Sequence, residues 1–212
     1  MFRRGFASLA LAGSLLVIAG PTAMAATGGG TSWDVYLAEG EFSDGLQDVD
    51  VRVYVGTVDG VASRQLSVSV YSAQDITCKG KGRAKGEPGM ILTSVYGLSD
   101  SPMLAIDRKL GTATASAALT VTTDTVNTCT GAETMVDSTT SVALDLHAIS
   151  GVTSTKTRVE RTYPDGSKET LTEKVDTRDA GGTVTYRGTA HAAGFGGIGH
   201  DVYSDVITLP HH

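Results

Sequence analysis

Hydrophobic and polar residues alternate along most of the chain beyond residue 30. Every second position of segment 49–55 is valine, and the same two-residue period recurs at 66–71 and 142–148. Successive side chains of a β-strand point to opposite faces of a sheet, so this period predicts half-buried strands whose apolar face is turned inward. No window beyond residue 25 repeats its apolar residues at the 3.6-residue spacing of an amphipathic helix.

The predicted strands are short and are separated by clusters of glycine, aspartate and serine. That arrangement predicts an all-β fold, in the form of an antiparallel β-sandwich or barrel-like domain. The length of 212 residues suits a single extracellular domain, which we place at residues 26–212. In the first strand, the alternation assigns Trp33, Val35 and Leu37 to the core and Tyr36 to the exposed face.

Residues 153–178 predict a long hairpin in the C-terminal half of the chain. Two alternating runs flank residues 164–167, a Pro-Asp-Gly-Ser turn. Charges of both signs cover the hairpin, which favours a solvated sheet edge protected by charge. The alternative is a hairpin that inserts into a membrane to form a pore. Such a hairpin needs a clean apolar face, and Arg161 interrupts the face of Val159 and Tyr163.

Residues 1–25 have the pattern of a secretory signal peptide. Arg3 and Arg4 precede the apolar stretch 6–19, and residues 23–25 read Ala-Met-Ala, which suits signal peptidase. No apolar run of 18 residues follows, so the mature chain is predicted to contain no transmembrane segment. The predicted location is therefore secreted and extracellular, or associated with the cell surface.

Two cysteines, Cys78 and Cys129, are predicted to form a disulfide, because exported proteins reside in an oxidising compartment. A weak internal repeat with an offset of 51 residues supports the pair. It places segment 66–70 over 117–121, and it places Thr-Cys-Lys-Gly at 77–80 over Thr-Cys-Thr-Gly at 128–131. The other reading of this repeat is chance similarity between two strands rich in Thr, Ser and Val.

The charge balance argues against nucleic-acid binding. The formal net charge is -6, from 17 Lys and Arg against 23 Asp and Glu. Removing the leader takes away Arg3 and Arg4, which leaves 15 basic residues against 23 acidic ones and a charge near -8. A chain of this sign lacks the broad positive field that phosphate backbones require.

Signatures of catalysis and of cofactor binding are missing from the sequence. We therefore predict no catalytic residue, no metal site and no cofactor. Residues 194–199 match the letters of a dinucleotide motif, but no helix or βαβ unit can follow them, so they predict a flexible loop. The basic residues of segment 79–85 predict a solvated loop, with an anion site as the alternative.

Tyrosines on predicted strands form the candidate binding surface. Tyr36, Tyr54 and Tyr71 share their strand faces with polar residues, among them Arg52. If the three strands are neighbours, the tyrosines can form an exposed row, and flat aromatic rings suit sugar rings or a protein partner. The alternative is that both sheet faces are partly buried and that the tyrosines pack against neighbouring side chains without binding a ligand.

These observations predict an exported, non-enzymatic β-domain that binds a cell-surface or cell-wall component, a glycan or a protein. The binding residues would be Tyr36, Arg52, Tyr54 and Tyr71. One alternative is a secreted hydrolase with an unrecognised site, whose first candidate residues are His147, His191, His200 and Asp201. The other alternative is a β-hairpin pore-forming protein.

Overall fold

The computed structural model describes residues 30–79 and 86–209, which form eleven β-strands and no helix. The predicted leader and the basic residues Lys81, Arg83 and Lys85 lie outside the described residues. The strands are β1 Ser32–Ser43, β2 Asp48–Val58, β3 Val61–Thr77, β4 Pro88–Ser99, β5 Met103–Ile106, β6 Thr112–Asn127, β7 Ala132–Ala148, β8 Thr153–Thr162, β9 Lys168–Tyr186, β10 Thr189–Ala192 and β11 Phe195–Thr208.

Antiparallel pairing links eight of the strands into a barrel-like ring. The order around the ring is β1, β2, β3, β4, β6, β7, β9 and β11, and β11 pairs with β1 again. The ring is uneven, because β6 pairs with β7 along its whole length but with β4 only over 91–97. β5, β8 and β10 pair with ring strands from the side. The predicted all-β, antiparallel, barrel-like class is thus confirmed.

The hydrophobic core fills the inside of this ring. Val51, Leu66, Val68 and Leu146 are fully buried there, as the alternation in their strands predicts. Gly40 faces the same core from β1, and a Cβ at that position would lie 2.6 Å from Leu144 Cδ1. A larger residue at this position would force Leu144 and Val184 of the opposite wall to shift.

The first strand faces the opposite way from the prediction. The face that begins at Trp33 continues through Glu39 and Glu41 and lies outside the ring, whereas the face that begins at Tyr36 supplies the core. The core residues on this inner face are Ala38, Gly40 and Phe42. Glu39 and Glu41 on the Trp33 face are the sequence signal for this orientation. A glutamate is not buried in an apolar interior without a partner, so the face that carries both should lie outside.

Cys78 and Cys129 form the predicted disulfide, with their Cα atoms 5.3 Å apart. β3 and β6 lie on either side of β4 and run in the same direction, so the loops that follow them meet at one end of the ring. The bond crosses β4 above Gly89, where a Cβ would lie 2.8 Å from Cys78 Sγ. The 51-residue offset of the sequence repeat equals the separation of the two cysteines.

Residues 195–199, predicted as part of a flexible loop, are instead the start of β11. The physical reason is close packing rather than flexibility. Gly196 is buried, and a Cβ there would lie 2.6 Å from the carbonyl oxygen of Ala180. Glycine in a strand often marks such a close approach of two backbones.

The predicted C-terminal-half hairpin is formed by β8 and the first half of β9. Its turn is closed by the N–H of Tyr163, which donates to the carbonyl of Ser167 at 2.9 Å, and Gly166 has the positive φ of 83°. All ten residues of β8 are exposed, and among the described residues β8 pairs with β9 alone. β8 is therefore an edge strand that carries the mixed charge the sequence predicted.

Candidate functional site

Three of the four predicted binding residues lie on the outer sheet face, although they are spread along it, and the fourth lies on the inner face. Arg52 and Tyr54 lie on the outer face of β2, and Tyr71, which is 49% exposed, lies on the outer face of the neighbouring β3. Tyr54 is opposite Gln65 of β3, six residues from Tyr71. β1, β2 and β3 are neighbours, as an exposed row requires. Tyr36, however, points to the inner face and packs against the core.

Tyr36 belongs to a polar cluster at one end of the ring. Its ring stacks on the imidazole of His200, with the centroids 4.1 Å apart and the planes 6° from parallel. His200 Nε2 lies 2.7 Å from Asp34 Oδ1, and the strand register places Asp176 directly opposite His200. Tyr36 is thus held by a neighbour on β11, and it is not available as part of the outer row.

Tyr96 is an outer-face aromatic residue that the sequence analysis missed. It lies on β4 opposite Ser69, while Tyr71 lies opposite Ser94, so the two tyrosines are diagonal neighbours across β3 and β4. Such neighbours have Cα atoms roughly 7–8 Å apart. Tyr96 is 45% exposed. The signal was its position between Val95 and Gly97, both buried, since alternation then places Tyr96 on the outer face.

Carboxylates and hydroxyl groups surround this pair, and we call Tyr71, Tyr96 and their cross-strand neighbours the tyrosine patch. The neighbours are Asp48 opposite Tyr71, Ser69 and Thr122 opposite Tyr96, and Ser94 opposite Tyr71. The hydroxyl of Thr122 donates to Asp137 at 2.7 Å. Flat rings offer apolar contact area, and the surrounding oxygens accept and donate hydrogen bonds. The patch can therefore hold a ligand that is apolar on one side and rich in hydroxyl groups at its edges.

Arg52 anchors an ionic cluster beside the patch. Its guanidinium group lies 3.2 Å from Glu39 and 2.7 Å from Asp50, each measured between the nearest nitrogen and carboxylate oxygen. Both carboxylates are only about one fifth exposed, at 20% and 22%. Burial raises the pKa of Glu39 to about 7, and the positive charge of Arg52 offsets only part of this rise. Burial also raises the pKa of Asp50.

We expect the free energy of unfolding to fall as the pH rises from about 4.5 to about 7, because Glu39 loses its proton in this range. Its pKa is near 7 in the folded chain and 4.5 ordinarily, so the folded state binds the proton more tightly in this window and loses stability as that proton leaves. In Glu39→Gln the amide cannot ionise. Urea unfolding at pH 5 and pH 8 should show a smaller loss of unfolding free energy for the variant, which should exceed the wild type in stability at pH 8.

Glu133→Gln is the matched control for this measurement, because Glu133 is exposed on the far part of β7. It should keep the pH dependence of the wild type. If Glu39→Gln keeps that dependence as well, the carboxyl of Glu39 is not the group that binds the proton.

Glu39, Glu41 and Asp50 are the described residues whose ligand atoms could together hold a metal ion, since these atoms lie within 4.8 Å of one another. Three carboxylates suit a hard cation such as Ca²⁺. Arg52, however, already lies against two of them. The arrangement therefore reads as an internal ion-pair network on the sheet surface.

Trp33, predicted as core, lies on the outer face and stacks on Tyr203 with the ring centroids 3.9 Å apart. Its indole N–H donates to Asp201 Oδ2 at 2.9 Å. Val35, the next residue on this face, is 8% exposed. The outer face of β1 near Trp33 is thus a small apolar surface. Tyr54 on β2 lies next to it, opposite Leu37.

The four residues proposed for a hydrolase do not converge. His200 lies on the inner face and Asp201 on the outer face of β11, as adjacent strand residues must. His191 stacks on Phe42, and His147 is exposed on β7. The hydrolase hypothesis stays a prediction, without a constellation of these residues to support it.

Within residues 30–79 and 86–209 there is no helix of the length and apolar character needed to span a membrane. No protein-family model, no curated protein and no solved structure matches the chain.

Proposed function

We propose that this protein is an exported, non-enzymatic binding domain that recognises a cell-surface or cell-wall component through the tyrosine patch. The observation that carries the proposal is the pair Tyr71 and Tyr96, which lie side by side on the outer sheet face at 49% and 45% exposure. Two neighbouring exposed tyrosines favour a binding role, because tyrosine offers a large contact area and loses little side-chain entropy when it binds a ligand.

A glycan is the ligand class that fits the patch best. The face of a sugar ring has C–H groups that pack on an aromatic ring, and its hydroxyl groups can bond the oxygens of Asp48, Ser69 and Thr122. The leader pattern of residues 1–25 and the disulfide support export to a compartment where such ligands occur. A protein partner is the other ligand class, and the experiment below separates the two.

The test is retention of the secreted protein on insoluble polysaccharides, isolated cell walls and immobilised surface proteins. The double variant Tyr71→Ala/Tyr96→Ala should lose retention. Removing a contact aromatic group costs more than about 1 kcal/mol, or roughly fivefold to tenfold per ring, so we expect a loss of about 25-fold to 100-fold. Retention on polysaccharide indicates a glycan, and retention on protein alone indicates a protein partner.

Tyr163→Ala provides the matched control. Tyr163 is 41% exposed but lies at the turn between β8 and β9, away from β3 and β4. This variant should bind like the wild type. Unfolding curves should show that every variant is folded, with a loss of about 1–2 kcal/mol for the double variant, because tyrosine is favoured over alanine on a strand. Equal binding by the wild type and the double variant would contradict the proposal.

A further inference from the structure

The free edge of β8 is exposed along the whole strand. Every residue of Thr153–Thr162 is exposed, and β9 covers only one side of the strand. An uncovered edge presents N–H and C=O groups that a further strand can pair with. Its sequence is rich in threonine, which favours such pairing.

The hairpin turn determines which backbone groups of β8 are free. The N–H of Tyr163 donates to Ser167, and the carbonyl of Tyr163 accepts from Gly166, so the backbone of Tyr163 is directed towards its own hairpin. Hydrogen bonding alternates along an antiparallel strand, and the odd-numbered residues of β8 are therefore bonded to β9. The outward groups belong to the even-numbered residues Ser154, Lys156, Arg158, Glu160 and Thr162.

The side chains of these outward residues are complementary to themselves in one register. Two β8 strands that run antiparallel with Val159 at the centre place Arg158 opposite Glu160 of the second copy, and Glu160 opposite Arg158 of the second copy. Shifting the register by two residues in either direction places Arg158 opposite Arg158, or Glu160 opposite Glu160, of the second copy. A shift of one residue would place the outward backbone groups of one copy opposite residues of the other copy whose groups are already bonded to β9. Such a register forms no hydrogen-bond ladder.

We propose that the protein forms a twofold dimer in which the free edges of two β8 strands pair antiparallel about Val159. Four pairs of outward residues exchange main-chain hydrogen bonds, as in β-strand addition: Lys156 with Thr162 and Arg158 with Glu160, each occurring twice by symmetry. Arg158 and Glu160 already form an ion pair within one chain, and in the dimer four such groups alternate in sign. Lys156 faces Thr162 of the second copy, and Arg161 faces Thr157, so neither faces another cation.

The dimer also covers apolar surface that one chain leaves exposed. Val159 is 38% exposed, and the proposed register places it directly against Val159 of the second copy in a pair without mutual hydrogen bonds. Such pairs have the closest side chains in an antiparallel ladder. The surface is isologous, as a twofold dimer requires, because the same strand contributes to both sides. This proposal is independent of the tyrosine patch, which lies on β3 and β4.

Charge exchange tests the dimer and its register together. The secreted protein should sediment at twice the monomer mass, and the population should shift to monomer on dilution. R158E and E160R should each weaken the dimer at least tenfold, because each places like charges opposite one another. An equimolar mixture of the two variants should dimerise again, and the double variant R158E/E160R should recover as well. A wild type that stays monomeric at every concentration, or a dimer that neither substitution weakens, would overturn the proposal.

A cysteine on the axis gives a second readout that does not depend on charge. V159C should form a covalent dimer on a non-reducing gel, since Cα atoms about 4.5 Å apart suit a disulfide. T157C is the control on the same face, because Thr157 lies opposite Arg161 of the second copy. It should remain monomeric under the same conditions. Equal crosslinking of V159C and T157C would contradict the register.

Discussion

Replacing both cysteines by serine is expected to lower the free energy of unfolding by about 4 kcal/mol. The bond between Cys78 and Cys129 closes a loop with a sequence separation of 51, and the chain-entropy model gives about 4 kcal/mol for that length. For a domain of this size we expect the melting temperature to fall by roughly 10 °C. Urea unfolding and calorimetry of Cys78→Ser/Cys129→Ser against the wild type measure both quantities.

Gly89→Val tests the same bond without removing either cysteine. A side chain at Gly89 would enter the space between β4 and the two sulfur atoms that cross it. We expect this side chain to prevent the disulfide from forming in part of the population, so that free thiols appear after denaturation without reductant. Gly45→Val is the comparison in a turn where no atom lies within 4 Å, although its positive φ of 83° adds a local strain of its own. It should show no free thiol. A wild type with two free thiols would contradict the disulfide itself.

The second large effect is expected at the wall of the ring, where Leu144→Ala should cost about 2–5 kcal/mol. Leu144 on β7 is buried in the core and reaches across to Gly40 on β1. Truncating such a side chain loses its transfer free energy and leaves a cavity. Gly40→Ala should also destabilise, by about 1–3 kcal/mol, because its new methyl group would overlap Leu144 and Val184.

Combining the two substitutions tests the contact across the ring. The methyl group of Gly40→Ala fits into the cavity that Leu144→Ala leaves, so the double variant should lose less stability than the sum of the single variants. A coupling of about 0.5–3 kcal/mol is expected for residues in contact. Strict additivity in urea unfolding would show that β1 and β7 do not face one another as the closed ring requires.

Local alternation predicted most of the strands and most of the core. Val51, Leu66 and Leu146 lie inside the ring because each belongs to a strand with one clean apolar face. The disulfide followed from an even cysteine number and a repeat, and the hairpin of β8 and β9 followed from its turn residues. These features depend on neighbours in sequence or on chemistry that is independent of the final packing.

The binding residues were harder to place, because an outer face is defined only when the sheet closes. Tyr36 and Tyr54 both alternate with apolar neighbours, yet one points inward and the other outward. Both faces of β1 carry apolar residues. The period of two therefore separates its odd-numbered from its even-numbered residues, but it does not say which of these faces the core. Tyr96 joins Tyr71 on the outer face only through the pairing of β4 with β3, which places it opposite Ser69.

The glycines show the same division between local and global information. Residues 194–199 read as a loop because glycine is common in turns, but Gly196 is a strand residue that allows Ala180 to approach. Gly89 lies beneath the disulfide for a related reason. A glycine chosen for its small size cannot be distinguished in sequence from one chosen for its conformation.

The sequence by itself determined the strand period, the fold class, the disulfide partners and the hairpin with its charged edge. Each rests on alternation, parity or turn chemistry, which act over a few residues. Only the tertiary structure decided that Trp33 stacks on Tyr203, that Tyr36 packs against the core and that Tyr71 and Tyr96 are diagonal neighbours. These depend on which strands pair and on which face closes over the core, and that choice is made by contacts between residues far apart in the chain.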